Sequence, residues 1–271
     1  MIKKFKIFYA PDGPGDVIQT YYEWKNGKED SNGDVSIPFS AQFYDICMDI
    51  DSRAYIISPN DKKALLKDGN FTIEHRPKPK MLAYGGVRYY IGAVWNALNL
   101  IISCLKFGAN VAVVADCSVW PIWALARIFG VKLIAIFHCA LWPSGFRPKR
   151  IKDIIMQKST GLFFDFCISG VVAVSPECIR QLKMISKKKD LPIKVGLSYF
   201  NKNLFLNARL PKHDESPFQI MYAGRIEKSK GVYDILECAQ LMNKEENGKY
   251  VWHVCGSGSS LNDLKDKVHR L

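Results

Sequence analysis

The sequence predicts an α/β fold built of two Rossmann-like parallel-sheet domains, the second shorter than the first. Three observations carry this reading. Short apolar runs of strand length alternate with helical stretches, a polar and turn-rich segment interrupts the alternation, and the same alternation then restarts. The expected division is a first domain at 1–198, a linker at 199–217 and the start of a second domain at 218–271.

Strands are expected near Phe5–Tyr9, Ala54–Ser58, Val111–Ala115, Leu133–Phe137 and Val171–Val174, with a weaker one at Phe71–His75. Runs such as Val111-Ala-Val-Val-Ala115 are apolar throughout, which suits strands covered on both faces. Helices lie between them. From Arg88 to Phe107, Ile91, Val94, Trp95, Leu98, Ile102 and Leu105 recur at helical spacing. Trp120–Phe129 and Arg150–Phe166 are two further helices, and Ser175-Pro176-Glu177 reads as an N-cap, a first-turn proline and an acid at the positive end of the dipole. Asn201, Asn203, Pro211, Asp214 and Pro217 make the linker. Beyond it come a strand at Gln219–Ala223, a helix at Tyr233–Asn243, a strand at Tyr250–Cys255 and a helix from Leu261.

With 271 residues, 48% hydrophobic and 24% charged, the composition is that of a globular chain and excludes collagen and disorder. Lys and Arg number 38 against 26 acids, a net charge of +12. The surplus concentrates in 51–200, with compact clusters at Arg147–Lys152 and Lys187–Lys189. No nucleic-acid motif surrounds them, so a basic face toward phosphates or anionic lipid is the expected use, a plain solvated face being the alternative. Eight cysteines stand singly in mostly apolar surroundings, the pattern of reduced core thiols in a cytosolic protein. Lys6 and Pro11 leave no hydrophobic region for a signal peptide. The longest uncharged run, Tyr89–Leu105, is 17 residues, at the lower limit for a membrane span, and reads as a buried or interfacial helix.

The residues that carry chemistry cluster after the linker. In Met221-Tyr-Ala-Gly224-Arg225-Ile-Glu227-Lys-Ser-Lys230-Gly231, a strand ends in Gly224, a long base follows, and Lys230 stands where a helix opens. Arg225 supplies a planar fork and Lys230 a point charge, and a helix N-terminus adds its dipole, so the three suit one anion such as a diphosphate. A solvated helix start is the plain alternative.

Gly224-Arg-Ile-Glu-Lys-Ser-Lys-Gly-Val232 resembles the donor-phosphate motif of the retaining glycosyltransferases of family 4, which have the GT-B fold. Val251-Trp-His-Val-Cys-Gly256-Ser-Gly258 resembles that family's strand ending in a Gly-x-Gly loop, Lys132–His138 its cleft strand ending in His, and Val171–Glu177 its last first-domain strand and helix start. The resemblance covers roughly residues 110–271 in order. It implies that Arg225 and Lys230 bind the diphosphate of a nucleotide-sugar and stabilise the leaving phosphate, with Gly224, Gly256 and Gly258 lining that site, without metal or other cofactor. His138 would then face the transferred sugar or the acceptor, a structural strand-end histidine being the alternative. Gly13 and Gly15 stand where the family has a glycine-rich turn lining the cleft, but Asp12 and Asp16 would repel a diphosphate, so acceptor contact or a plain turn fits as well. The implied acceptor is a glycan or lipid-linked molecule at the cytosolic face of a membrane, in polysaccharide or glycolipid synthesis. A non-catalytic nucleotide- or glycan-binding protein and a GT-B nucleotide-sugar epimerase are the rival readings.

Other motifs fail: there is no P-loop, no G-x-S-x-G elbow and no metal-ligand spacing. The family's paired glutamates, seven residues apart, also find no match. Glu237 and Glu245 are eight apart and fall on the helix directly after the basic loop. By domain-size arithmetic roughly 80–130 residues of a full second domain are expected beyond this sequence.

Overall fold

The computed structural model describes residues 5–13, 15–27, 36–37, 39–115, 117, 119–143, 149–196, 199–200, 217–246 and 248–269. The chain divides into two compact units, Met1–Leu206 and Asn207–Leu271. Most of the expected linker, 201–216, lies outside the described residues, as do Lys28–Val35 and the Arg147 end of the first basic cluster.

In the first unit, eight strands among the described residues form one sheet: β1 (Lys6–Ala10), β3 (Arg53–Pro59), β4 (Ala64–Asp68), β5 (Phe71–Arg76), β6 (Val111–Ala115), β7 (Lys132–Phe137), β8 (Ile168–Ala173) and β9 (Ile193–Val195). Their order is β4-β5-β3-β1-β6-β7-β8-β9, parallel throughout except for β4 against β5. Short strands β2 (Ser36–Ile37) and β10 (Tyr199–Phe200) form a separate antiparallel pair.

The chain fills the sheet outward from β1 to β5, then returns and builds β6 to β9 on the other side. Right-handed crossovers therefore place the intervening helices on opposite faces. Helices α1 (Val17–Lys25) and α2 (Phe39–Asp49) cover one face through Tyr21, Phe43 and Tyr44. Helices α3 (Val87–Phe107), α4 (Ala124–Ile128), α5 (Ile151–Phe166) and α6 (Pro176–Ile185) cover the other, where Ile101, Ala126, Phe164 and Leu182 share one core. The 3-10 turn at Trp120–Trp123 precedes α4 and buries both tryptophans. Ser175 caps α6 as its sequence promised, its hydroxyl accepting from the Cys178 amide with Pro176 in the first turn.

The second unit holds β11 (Phe218–Ala223), α7 (Val232–Glu245), β12 (Tyr250–Cys255) and α8 (Leu261–His269). The two strands are parallel in the register Phe218↔Tyr250 to Ala223↔Cys255. A small core of Ile226, Val232 and Leu264 holds the unit together. The two-stranded sheet leaves Met221 and Phe218 largely exposed.

The structure departs from the sequence reading at the periphery. β4 and β9 were not anticipated, because both are short and carry charged residues, unlike the apolar central strands. Not all cysteines are core residues: Cys47, Cys104 and Cys178 are buried, but Cys139, Cys238 and Cys255 are exposed. Cys255 reads as core because its neighbours are apolar, yet four of the six residues of β12 are exposed.

Candidate functional site

The β11–α7 loop is built around one buried residue. Ile226 is 1% exposed and packs with Val232 and Leu264, while its amide donates to the Ser257 carbonyl at 2.8 Å and its carbonyl accepts from the Ser260 amide at 3.0 Å. The flanking residues face solvent. Arg225 is exposed, with its guanidinium Nη1 3.3 Å from Glu227 Oε1, and its carbonyl accepts from the Tyr222 hydroxyl at 2.9 Å. Lys230 is also exposed; it closes a 3-10 turn whose amide donates to the Glu227 carbonyl at 2.9 Å.

Gly231 at φ +73° then caps α7 without a side chain of its own, and Asp234 stands in the first turn. α7 begins at Val232, one residue before the expected Tyr233, and Lys230 ends the 3-10 turn ahead of it. Arg225, Lys230 and a helix N-terminus stand on one short segment. That arrangement suits a polyanion.

The glycines around this loop have a reason internal to the fold. A Cβ on Gly256, at φ +148°, would meet the Gly224 carbonyl oxygen at 1.9 Å, and one on Gly258 would meet the Ile226 carbonyl oxygen at 2.3 Å. Both let the loop after β12 dock on the loop after β11. A Cβ on Gly224 would press on the Tyr222 hydroxyl at 3.0 Å and on the ring carbon that bears it at 3.2 Å.

In the first unit, His138 directly follows β7, exposed at the carboxyl end of the sheet, with its ring edge-on to Phe39 at 5.7 Å. The segment after it is pinned by Gln181, which is fully buried. Gln181 accepts from the Trp142 amide at 3.1 Å and donates to the Trp142 carbonyl at 2.8 Å and to Glu177 at 2.7 Å.

Gly13 and Gly15 lie in the exposed loop after β1, where a Cβ would meet nothing and neither φ is positive. The two acids beside them are already engaged. Asp12 is bound by Lys78 at 2.7 Å, and Asp16 caps α1 by accepting from the Gln19 amide at 2.8 Å while lying 3.5 Å from the buried His75. A helix cap and an ion pair explain both acids.

Sequence reasoning missed the residues that β3, β5 and α3 bring to the same sheet end. A cavity of about 230 Å³ opens at the carboxyl ends of β1, β3, β5 and β6, where strand order reverses and open α/β sheets receive ligands. Its apolar wall includes Ile57, Leu100 and Trp123, and its polar groups include Asp12, Arg76, Lys78 and Asn96. Arg76 is itself anchored, donating to Glu74 at 2.6 and 2.9 Å and to Ser103 at 3.1 Å. Burial pushes the Glu74 carboxyl up, but the hydrogen bonds from Arg76 and Tyr55 outweigh it and hold the group below its usual range. Burial and the Glu74 hydrogen bond push the Tyr55 phenol up to about 12. Adjacent bases at β5 and charge pairing with the β1 loop were the available signals. Among the described residues no cluster of His, Cys, Asp or Glu is placed to hold a metal ion.

A doubly wound parallel sheet followed by a smaller parallel β-α unit matches the fold of the GT-B glycosyltransferases. No protein-family model matches the chain, and no curated protein matches it by sequence. Solved structures do match. The chain is similar to a sucrose-phosphate synthase from Thermosynechococcus elongatus, with a TM-score of 0.61 and 14% identity, covering 98% of this chain and 68% of that one. It is likewise similar to an α,α-trehalose-phosphate synthase (UDP-forming) from Burkholderia vietnamiensis, with a TM-score of 0.59, 11% identity and coverage of 98% and 69%. HepE of Anabaena in complex with UDP gives a TM-score of 0.54 at 12% identity, with coverage of 98% and 65%. At these identities the likeness is one of fold.

Proposed function

We propose that the protein is a retaining glycosyltransferase of the family-4 type, moving a sugar from a nucleotide-sugar donor to a glycan or lipid-linked acceptor in cell-surface polysaccharide or glycolipid synthesis. The observation that carries this is the β11–α7 loop, where Arg225 and Lys230 precede the N-terminus of α7 on a backbone locked by Ile226. Departure of a nucleoside diphosphate from the sugar develops negative charge, and fixed positive groups that need no reorganisation lower that barrier. Arg225 and Lys230 act there. UDP bound to HepE, and the UDP-forming chemistry named for the trehalose-phosphate synthase, support a donor of this class.

The acceptor side belongs to the first unit. His138 orients the acceptor or the transferred sugar, and the cavity beside Asp12, Arg76 and Lys78 receives part of the acceptor. The reaction runs at the cytosolic face of a membrane, with the donor itself as substrate and no metal or other cofactor.

Titration calorimetry with UDP and with GDP tests the donor site. One of the two should bind, and Arg225→Ala should weaken it roughly tenfold to a hundredfold, the loss of a charged hydrogen-bonding partner. Binding of neither nucleotide, or equal binding by Arg225→Ala, would sink the donor reading. Product analysis separates the rivals: nucleotide binding without transfer identifies a binding protein, and a changed nucleotide-sugar formed without acceptor identifies an epimerase.

A further inference from the structure

The helical layer α3–α5 carries apolar side chains on its outer face as well as its inner one. On α3, Ile101 and Cys104 pack into the core, while Ile91, Trp95 and Ile102 on the opposite side are 48–57% exposed. These three continue as a ridge with half-buried Leu98. A helix apolar on both sides has two apolar environments to satisfy. Neighbouring α4 ends in Ile128 and Phe129, 76% and 69% exposed, and α5 presents Leu162 and Phe166 at 59% and 77%. All three helices lie on the same face of the sheet.

Charge identifies the occupant. Between Arg76 and Phe166 the sequence has 12 bases and three acids, Asp116, Asp153 and Asp165; neither α3 nor α4 contains an acid, and α5 carries Lys152 and Lys158 beside its two. Arg88 and Lys106 bracket the α3 ridge, Arg88 stacked over the Tyr84 ring at 5.8 Å, and Arg127 lies on α4. The face covered by α1 and α2 has the opposite balance, residues 1–50 carrying 5 bases and 8 acids. A second copy docked about a two-fold axis would bring these bases against their own counterparts. An anionic bilayer complements them, its headgroups taking the bases and its acyl region the aromatic and aliphatic ridge.

We propose that the α3–α5 face is a monotopic docking surface for an anionic lipid bilayer, with Trp95 and Ile91 at its centre. This rests in part on the membrane-side reading of the function but names the surface and is tested apart from it.

The test is flotation of the full chain with vesicles of phosphatidylcholine alone and of equal parts phosphatidylcholine and phosphatidylglycerol. The protein should float with the mixed vesicles, less at high salt, and stay in solution with the neutral ones. Trp95→Glu and Ile91→Glu, both at exposed positions, should abolish flotation. Arg127→Ala should reduce partitioning roughly fivefold. Ile46→Glu on the exposed side of α2 controls for the chemistry of the substitution and should float as wild type. Circular dichroism melts and UDP or GDP affinity of each variant show that fold and donor site are intact. Flotation of Trp95→Glu like wild type overturns the proposal. So does a wild-type dimer that Trp95→Glu converts to a monomer, because the face is then a self-interface. Failure to float with nucleotide binding intact removes the docking surface and leaves the donor site standing.

Discussion

Gly256 and Gly224 meet backbone to backbone: a Cβ on the first would lie 1.9 Å from the carbonyl oxygen of the second. The Gly224 amide donates to the Cys255 carbonyl at 3.0 Å, so the loops after the two strands of the second unit are locked together. The segment bearing Arg225 owes its position to this junction.

Gly256→Ala should therefore cost at least ~2 kcal/mol of stability, since a backbone atom rather than a flexible side chain stands in the way. It should also lose nucleotide affinity although Gly256 need touch no ligand. Chemical denaturation and calorimetry read the two effects, and Gly13→Ala, with open space around its Cβ, should leave stability within ~0.5 kcal/mol of wild type.

Gln181→Leu leaves the Trp142 amide and carbonyl without their buried partners. A loss of about 2 kcal/mol is expected, together with faster hydrogen exchange in residues 138–143, because Gln181 pairs both backbone polar groups of Trp142 in that segment. An unchanged exchange pattern would show that other contacts hold it.

Asp165 organises the turn that carries the Lys187–Lys189 cluster. Its Oδ1 accepts from the Ser186 hydroxyl and the Lys187 amide at 2.7 Å each and from the Lys188 amide at 3.1 Å. Burial pushes this carboxyl up, but those three donors outweigh it and hold it below its usual range. A carboxyl depressed on folding contributes stability that is full above its unfolded value, near 4, and is lost as pH falls through the folded value. Asp165→Asn should cost about 1 kcal/mol at neutral pH and flatten the acid limb of melting temperature against pH.

Lys78 holds Asp12 at the rim of the first-unit cavity, but both side chains are partly solvated, at 35% and 49% exposure. Lys78→Met should change stability by less than about 1 kcal/mol. Its effect should fall on the acceptor: a raised KM for acceptor with donor affinity unchanged. A large fall in melting temperature would instead assign the pair to the scaffold.

The sequence by itself determined the alternation of strands and helices and the basic loop of the second unit, whereas the division between the units, expected after residue 198, falls at Leu206 in the structure. Each depends on neighbours along the chain: Val111–Ala115 is apolar without interruption, Ser175-Pro176-Glu177 is a complete local cap, and Arg225 and Lys230 sit five residues apart. Only the tertiary structure decided the rest. Strand order turned at β1 and β6 and so brought Arg76, Lys78 and Asp12, distant in sequence, to one cavity. Packing gave Gly256 and Gly258 a backbone reason where the sequence suggested a ligand one. It also turned the apolar stretch at 89–105 into a helix with a buried side and an exposed one. Hydrophobic pattern specifies that a segment must be covered; what covers each side follows from the crossovers that stack it, and those are long-range.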